Sequence, residues 1–136
     1  MGNDENPKEQ LNAEKLESLA AVLKSDALNS ITKIEEKLQS WYPELSEKEM
    51  VVCRWTFFTM SDLHTGNSAF YDELSARLVE NGNFANEKEI QDVIKSLESK
   101  SVLEIREEKW IFGDTKATIK VLAFTQENLC MELHNL

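Results

Sequence analysis

Two histidines and two cysteines are the residues of this 136-residue chain best suited to catalytic chemistry. Nucleophilic catalysis needs a Cys or Ser beside a basic partner, and no spacing brings His64 or His134 to Cys53. Cys130 and His134 lie four residues apart in a predicted final helix, but a metal site needs three or four ligands. The four glycines are isolated and form no phosphate-binding loop. The sequence therefore predicts a protein without enzymatic activity, metal or cofactor.

Basic and amide side chains in the second half of the chain suit nucleic-acid binding better. Arg, Lys, Asn and Gln near the start of a helix read base edges, and dispersed cations contact phosphates. The candidate DNA-contacting residues are Asn86, Lys88, Gln91, Lys95, Lys100, Arg106, Lys109, Lys116 and Lys120. Glu87, Glu89 and Asp92 place carboxylates among them. The pattern thus permits DNA binding without requiring it.

The net charge of −10 argues against nucleic-acid binding. Like-charge repulsion disfavours a polyanionic partner. Residues 1–45 carry nine acidic and five basic side chains, so the acidity is not confined to a tail. Residues 100–125 are the exception, with five basic and four acidic side chains. The charge therefore disfavours double-stranded DNA and favours a protein partner.

One capped helix and a β-ribbon would position the basic residues. Asn86 is a capping residue with Glu89 in the reciprocal position, and apolar residues recur at helical spacing as far as Lys100. The spacing predicts a helix over Asn86–Lys100 and a two-stranded ribbon over Val102–Phe124.

The large apolar residues at the start of the ribbon stand at odd positions as far as Ile105, whereas its aromatic residues stand at even positions from Trp110 onward, so the parity changes between these two residues. A change of parity within a strand indicates a bulge or a turn. We predict a bulge at 107–109, a turn at 113–116 and a return strand over 117–124. Thr125 is predicted to cap a final helix over 126–136.

Two more helices precede the capped one. Ser46 and Glu49 form a capping-box pattern before an apolar segment, which predicts a central core helix over Glu47–Met60. Asn67 or Ser68 is predicted to cap a helix over Ala69–Asn81, which Gly82 ends in the left-handed conformation.

An apolar stripe at helical spacing runs through residues 9–42, which form one long helix or two. Its members are Leu16, Leu19, Leu23, Ala27, Ile31, Ile34, Leu38 and Trp41. Such a stripe must be buried, either against its own domain or in a coiled-coil-like homodimer. Its polar face carries as many acids as lysines, which argues against a membrane surface.

The order of three helices and a hairpin resembles a winged helix-turn-helix. The capped helix 86–100, Ser101–Ile105 leading into the ribbon, and Leu122–Thr125 before a last helix are similar to small dimeric regulators of the MarR type. That resemblance implies a mainly α (α+β) fold, a DNA-binding role in transcription regulation and a dimer built from the terminal helices. Acidic winged helices that act as protein-interaction modules are the alternative. The predicted organisation is a disordered tail (1–8), a helical segment (9–42), a winged-helix domain (46–125) and a C-terminal helix (126–136).

The cellular location follows from simple features. The N-terminus is polar and acidic, unlike a signal or transit peptide, and the apolar helix around Cys53 suggests a buried, reduced thiol. We predict a cytoplasmic protein, or a nuclear one in a eukaryote.

Overall fold

The computed structural model describes the backbone of residues 5–136 and the side chains of all of these except 5–14, 24 and 26. It is a mixed α+β protein with a small antiparallel sheet. The elements are α1 (Glu5–Trp41), α2 (Glu47–Asp62), β1 (Ser68–Phe70), α3 (Tyr71–Glu80), α4 (Glu87–Ser99), β2 (Leu103–Phe112), β3 (Thr115–Phe124) and α5 (Glu127–His134). The chain divides into two units, with the boundary between Lys33 and Ile34. No helix among the described residues is both long and apolar enough to cross a bilayer.

The N-terminal segment is a single helix, so the first of the two alternatives predicted for residues 9–42 is confirmed. Helix α1 begins at Glu5, inside the stretch predicted to be disordered, and residues 1–4 of that stretch lie outside the described residues. In the second unit, Ile34 and Leu38 belong to the hydrophobic core.

Helix α2 is the central helix of the second unit, as its apolar composition predicts. Ser46 and Glu49 form the predicted capping box, because each side chain accepts a hydrogen bond from the other residue's backbone N–H. Val52, Cys53 and Thr56 are completely buried. The helix therefore supplies the surface on which the later helices pack.

Three helices end with a residue in the left-handed conformation. Gly82 does so after α3, as predicted, while His64 (φ 52°) and Ser101 (φ 59°) do so after α2 and α4. At Ser101 the backbone N–H donates to Glu98, and that of Val102 donates to Leu97, which together form a Schellman motif. The loop position of His64 is thus a helix-capping position.

The sheet has three strands, where the sequence predicted two. Residues Ser68–Phe70 form β1, which pairs antiparallel with β3 and gives the order β1-β3-β2. The helix predicted from Ala69 therefore begins at Tyr71. A strand of three residues is too short to show an alternating apolar pattern in the sequence. The pattern therefore assigns the neighbouring Phe70 and Tyr71 to the apolar face of the helix that follows.

The predicted bulge at 107–109 is wrong. The pairing of β2 with β3 is continuous from Leu103↔Phe124 to Phe112↔Thr115, and only Gly113 and Asp114 form the turn. Gly113 has φ +63°, as the first central residue of a type II′ hairpin requires. The parity changes because Leu103 and Ile105 face the core, whereas Trp110 packs against Phe70 on the other side of the sheet.

Helix α5 closes the second unit but begins without the predicted cap. Leu129, Cys130 and Leu133 are buried, and the His134 ring lies 5.0 Å from that of Phe57. The hydroxyl of Thr125 donates to the Ser101 carbonyl instead of capping α5. Thr125 thus fastens the end of β3 to the turn after α4.

Candidate functional site

The exposed side of α4 carries the first group of candidate DNA-contacting residues. Lys88, Gln91 and Lys95 follow one another at helical spacing and are all exposed. Within the described residues, neither lysine lies in an ion pair. The Asn86 side chain caps the helix, because it accepts a hydrogen bond from the Glu89 backbone N–H. All four predicted residues of this helix are therefore exposed, although the Asn86 side chain is engaged in capping it.

Tyr71 brings α4 and the ribbon together. The Nζ atom of Lys120, on β3, lies 3.9 Å from the centre of the Tyr71 ring. Burial and the Glu87 carboxylate raise the pKa of Tyr71, and a hydrogen bond with the Gln91 side chain opposes that rise. The first residue of α3 thus contacts a ribbon lysine and lies beside the first half of α4.

One face of the ribbon is basic. Lys109 and Lys116 share a face with Lys120, because residues paired across strands and residues two apart point the same way. Glu107, opposite Lys120, is the acidic residue on this face. Ile111 is 68% exposed between the lysines. We call Lys109, Lys116 and Lys120 the basic ribbon face; it is also the face that carries the core residues Leu103 and Ile105.

Lys100 has a structural role that the sequence did not reveal. Its Nζ atom donates to the carboxylate of Glu49 over 2.7 Å, and the Ser96 hydroxyl donates to the same carboxylate over 3.0 Å. Burial raises the pKa of Glu49, but the hydrogen bonds from Lys100, Ser96 and Ser46 outweigh it and lower the pKa to about 2. Lys100 is therefore engaged in joining α4 to α2.

Arg106 lies on the opposite side of the sheet from the basic ribbon face. Its Nε atom is 3.4 Å from Glu104, two residues earlier on the same strand. Residues 104 and 106 have the opposite parity to 107 and 109, so the side chains of Arg106 and Lys109 point to different faces. The structure therefore does not bring Arg106 together with the other candidate residues.

Carboxylates flank the lysines of α4. Glu87, Asp92 and Glu98 are exposed on the helix, so its exposed charge is slightly negative. Glu89 pairs with Lys48. The positive charge of the combined surface thus comes mainly from the ribbon.

A second exposed feature is the apolar face of the first half of α1. Leu16, Leu19 and Leu23 are 65%, 54% and 59% exposed. Isolated exposed apolar residues are ordinary, but these three lie in a row on one face of the helix. Because Ile34 and Leu38 are buried in their own unit, the predicted dimer residues available to a partner are Leu16, Leu19 and Leu23, with Ile31 and Trp41 half-buried.

The two cysteines are buried free thiols. Burial raises the pKa of the Cys53 thiol far above neutrality, and burial also raises that of Cys130. The Cys130 sulfur contacts the Met60 sulfur at 3.8 Å and the Asn67 side chain at 3.5 Å. Among the described residues, no three His, Cys, Asp or Glu side chains are grouped as metal ligands would be.

Comparison with known proteins adds no family to this description. No family model matches the sequence, and no curated protein matches it.

Proposed function

We propose that this chain is a winged-helix binding protein that contacts double-stranded DNA through α4 and the basic ribbon face. The observation that carries the proposal is the contact of Lys120, on the ribbon, with Tyr71, which in turn lies beside Gln91 on the exposed side of α4. A helix and an adjoining ribbon can contact base edges and phosphates at the same time.

The order of the elements supports the winged-helix part of the proposal. Helices α2, α3 and α4 precede the β2–β3 hairpin, and β1 adds a third strand beside β3. Residues 81–86 connect α3 and α4, which is longer than the tight turn usual in a helix-turn-helix. The resemblance to MarR-type regulators, and with it a role in transcription, stays a prediction.

The charge distribution sets the expected strength of binding. Lys88, Lys95, Lys109 and Lys116 lie in no ion pair within the described part of the chain. If each neutralises one phosphate, the logarithm of the association constant falls with the logarithm of salt concentration with a slope of roughly −3 to −4. The carboxylates among these lysines repel DNA, so we expect binding to require a low salt concentration.

Fluorescence anisotropy with a labelled duplex of mixed sequence tests this proposal. We expect binding at about 50 mM salt that weakens at least tenfold by about 150 mM, because counterion release dominates. Failure to bind duplex DNA at the lower salt concentration would remove the DNA proposal, since the electrostatic attraction is largest there.

A second candidate function is protein interaction through α1, and the exposed row Leu16–Leu19–Leu23 favours it. We propose a second copy of this chain as the partner, because apolar residues spaced three and four apart suit pairing of like helices. The two proposed functions use different residues, because the row on α1 includes no residue of α4 or the ribbon.

A further inference from the structure

The face of the sheet that points away from the core differs chemically from the basic ribbon face. Alternation along β2 and β1 places on it Ser68, Phe70, Glu104, Arg106, Glu108, Trp110 and Phe112. We call this set the outer sheet face. Val121 and Ala123 point the same way, are completely buried, and stand apart from the main core cluster.

A cavity of about 320 Å³ opens on the outer sheet face beside α5. Glu104, Glu108 and Glu127 line it, together with Arg106 and Asn67. Arg106 lies against Glu104, which leaves the cavity with an excess of negative charge. Phe124 also lines the cavity, and carboxylates beside an apolar side chain suit a cation on an aliphatic stem.

Aromatic rings continue this face beyond the cavity. The Phe70 and Trp110 rings meet edge to face with centroids 5.2 Å apart, and Phe112 stacks on Trp110 at 6.4 Å. The Phe112 side chain is 49% exposed at the end of the row. Such rings attract Lys and Arg side chains through cation–π contacts.

Glu108 joins the cavity to the rings. Its Oε1 atom accepts hydrogen bonds from the Ser68 hydroxyl at 2.9 Å and from the Trp110 indole N–H at 3.3 Å. These bonds hold the carboxylate between the cavity and the rings without neutralising its charge. A cation bound beside Glu108 would therefore contact a carboxylate and an aromatic ring together.

Strand β2 is also an edge of the sheet. The order β1-β3-β2 leaves its second edge without a partner strand among the described elements. Ten residues of regular strand can add an extended peptide through main-chain hydrogen bonds, with alternate side chains directed to the outer sheet face. The charged residues along this edge restrict indiscriminate pairing.

We propose that the outer sheet face binds an extended, basic segment of a partner protein, which adds beside β2 and inserts a Lys or Arg side chain toward Glu108. Charge complementarity argues for this occupant, because the cavity is acidic and the whole chain carries −10. Nucleic acid would meet repulsion on this face. The proposal does not depend on DNA binding, which would use the opposite face of the ribbon.

Labelled ten-residue peptides test the proposal, with alternating Lys and Val as the basic probe and alternating Glu and Val as the acidic one. At about 50 mM salt we expect saturable binding of the basic peptide to the full chain and none of the acidic peptide. Replacing the central valines by proline should abolish binding, because proline removes main-chain donors and distorts the added strand. Equal binding of acidic and basic peptides would overturn the proposal, as would unimpaired binding of the proline peptide.

Paired variants locate the site. Glu104→Gln with Glu108→Gln should weaken binding of the basic peptide about tenfold, since charge-assisted contacts are lost. The control Glu107→Gln, on the same strand but the opposite face, should leave it unchanged. An equal loss in both would mean that the peptide responds to overall charge, and the proposal would fail.

NMR of the unmodified chain provides a test that does not depend on the folding of variants. Titration with the basic peptide should shift the backbone amides of β2 and the Trp110 indole N–H most strongly. Shifts confined to other elements would overturn the proposal. Duplex DNA should bind the Glu104→Gln, Glu108→Gln variant at least as well as the natural chain, so failure of one proposal leaves the other testable.

Discussion

Lys100 Nζ lies 2.7 Å from Oε1 of Glu49 and joins the end of α4 to the first turn of α2. Glu49 is 4% exposed and also accepts from Ser96 and from the Ser46 backbone. A buried carboxylate is stabilising only when it is paired and hydrogen-bonded in this way. Together with the buried apolar face of α4, this pair fixes the position of the helix and of the exposed side that carries Lys88 and Lys95.

Removing the charge of Glu49 should destabilise the protein. We expect Glu49→Gln to lower the free energy of unfolding by about 2 kcal/mol, because charge-assisted hydrogen bonds become neutral ones. Urea denaturation at pH 7 measures the change. Glu47→Gln, exposed in the same turn, is the matched control and should have little effect.

The same carboxylate should give stability a defined pH dependence. The folded-state pKa of Glu49 is about 2, below its ordinary value of 4.5, so the unfolded chain binds this proton more readily. Its contribution, roughly 3 kcal/mol, is fully present above about pH 4.5 and is lost as pH falls through about 2. Urea denaturation between pH 5 and pH 2 should therefore show a steeper loss in the natural chain than in Glu49→Gln. Parallel pH profiles would contradict this role.

Replacing Ser101 with glycine should stabilise the protein. The φ of 59° at Ser101 costs a residue with a side chain about 1 kcal/mol, which glycine avoids. We expect Ser101→Gly to raise the free energy of unfolding by about 0.5 kcal/mol, after the greater chain entropy of glycine is subtracted. Gly82→Ala, at the equivalent position after α3, should lower it, and thermal denaturation compares the two.

The exposed apolar row of α1 should control the oligomeric state. We expect the natural chain to form a dimer by light scattering, and Leu19→Asp with Leu23→Asp to be monomeric, because burying two carboxylates opposes helix pairing. Ser18→Asp adds the same kind of charge off the row and should remain dimeric. A natural chain that stays monomeric at all concentrations would contradict the dimer proposal.

Local signals predicted much of the fold. The capping box of Ser46 and Glu49, the asparagine cap at residue 86 and the left-handed Gly82 each depend on neighbouring residues alone, and each is present. The predicted helices 47–60, 69–81 and 86–100 match α2, α3 and α4 to within two residues at each end.

Features that depend on tertiary contacts were not predicted. Strand β1 exists only because Ser68–Phe70 pair with β3, and the parity change in β2 reflects packing of Trp110 on Phe70 rather than a bulge. The Lys100–Glu49 pair spans fifty-one positions, and no local pattern identifies it. The prediction also grouped Arg106 with the ribbon lysines, although Arg106 lies on the opposite face of the sheet.

Charge reversal on both elements tests most directly whether α4 and the ribbon form one DNA-binding surface. The variant Lys88→Glu with Lys109→Glu changes one exposed lysine on each element, and Lys15→Glu with Lys33→Glu reverses two exposed lysines on α1 as the control. In duplex anisotropy at about 50 mM salt, we expect the first pair to weaken DNA binding at least tenfold and the control to change it much less, because each phosphate contact contributes independently. Equal losses in the two pairs, or no binding by the natural chain, would contradict the account.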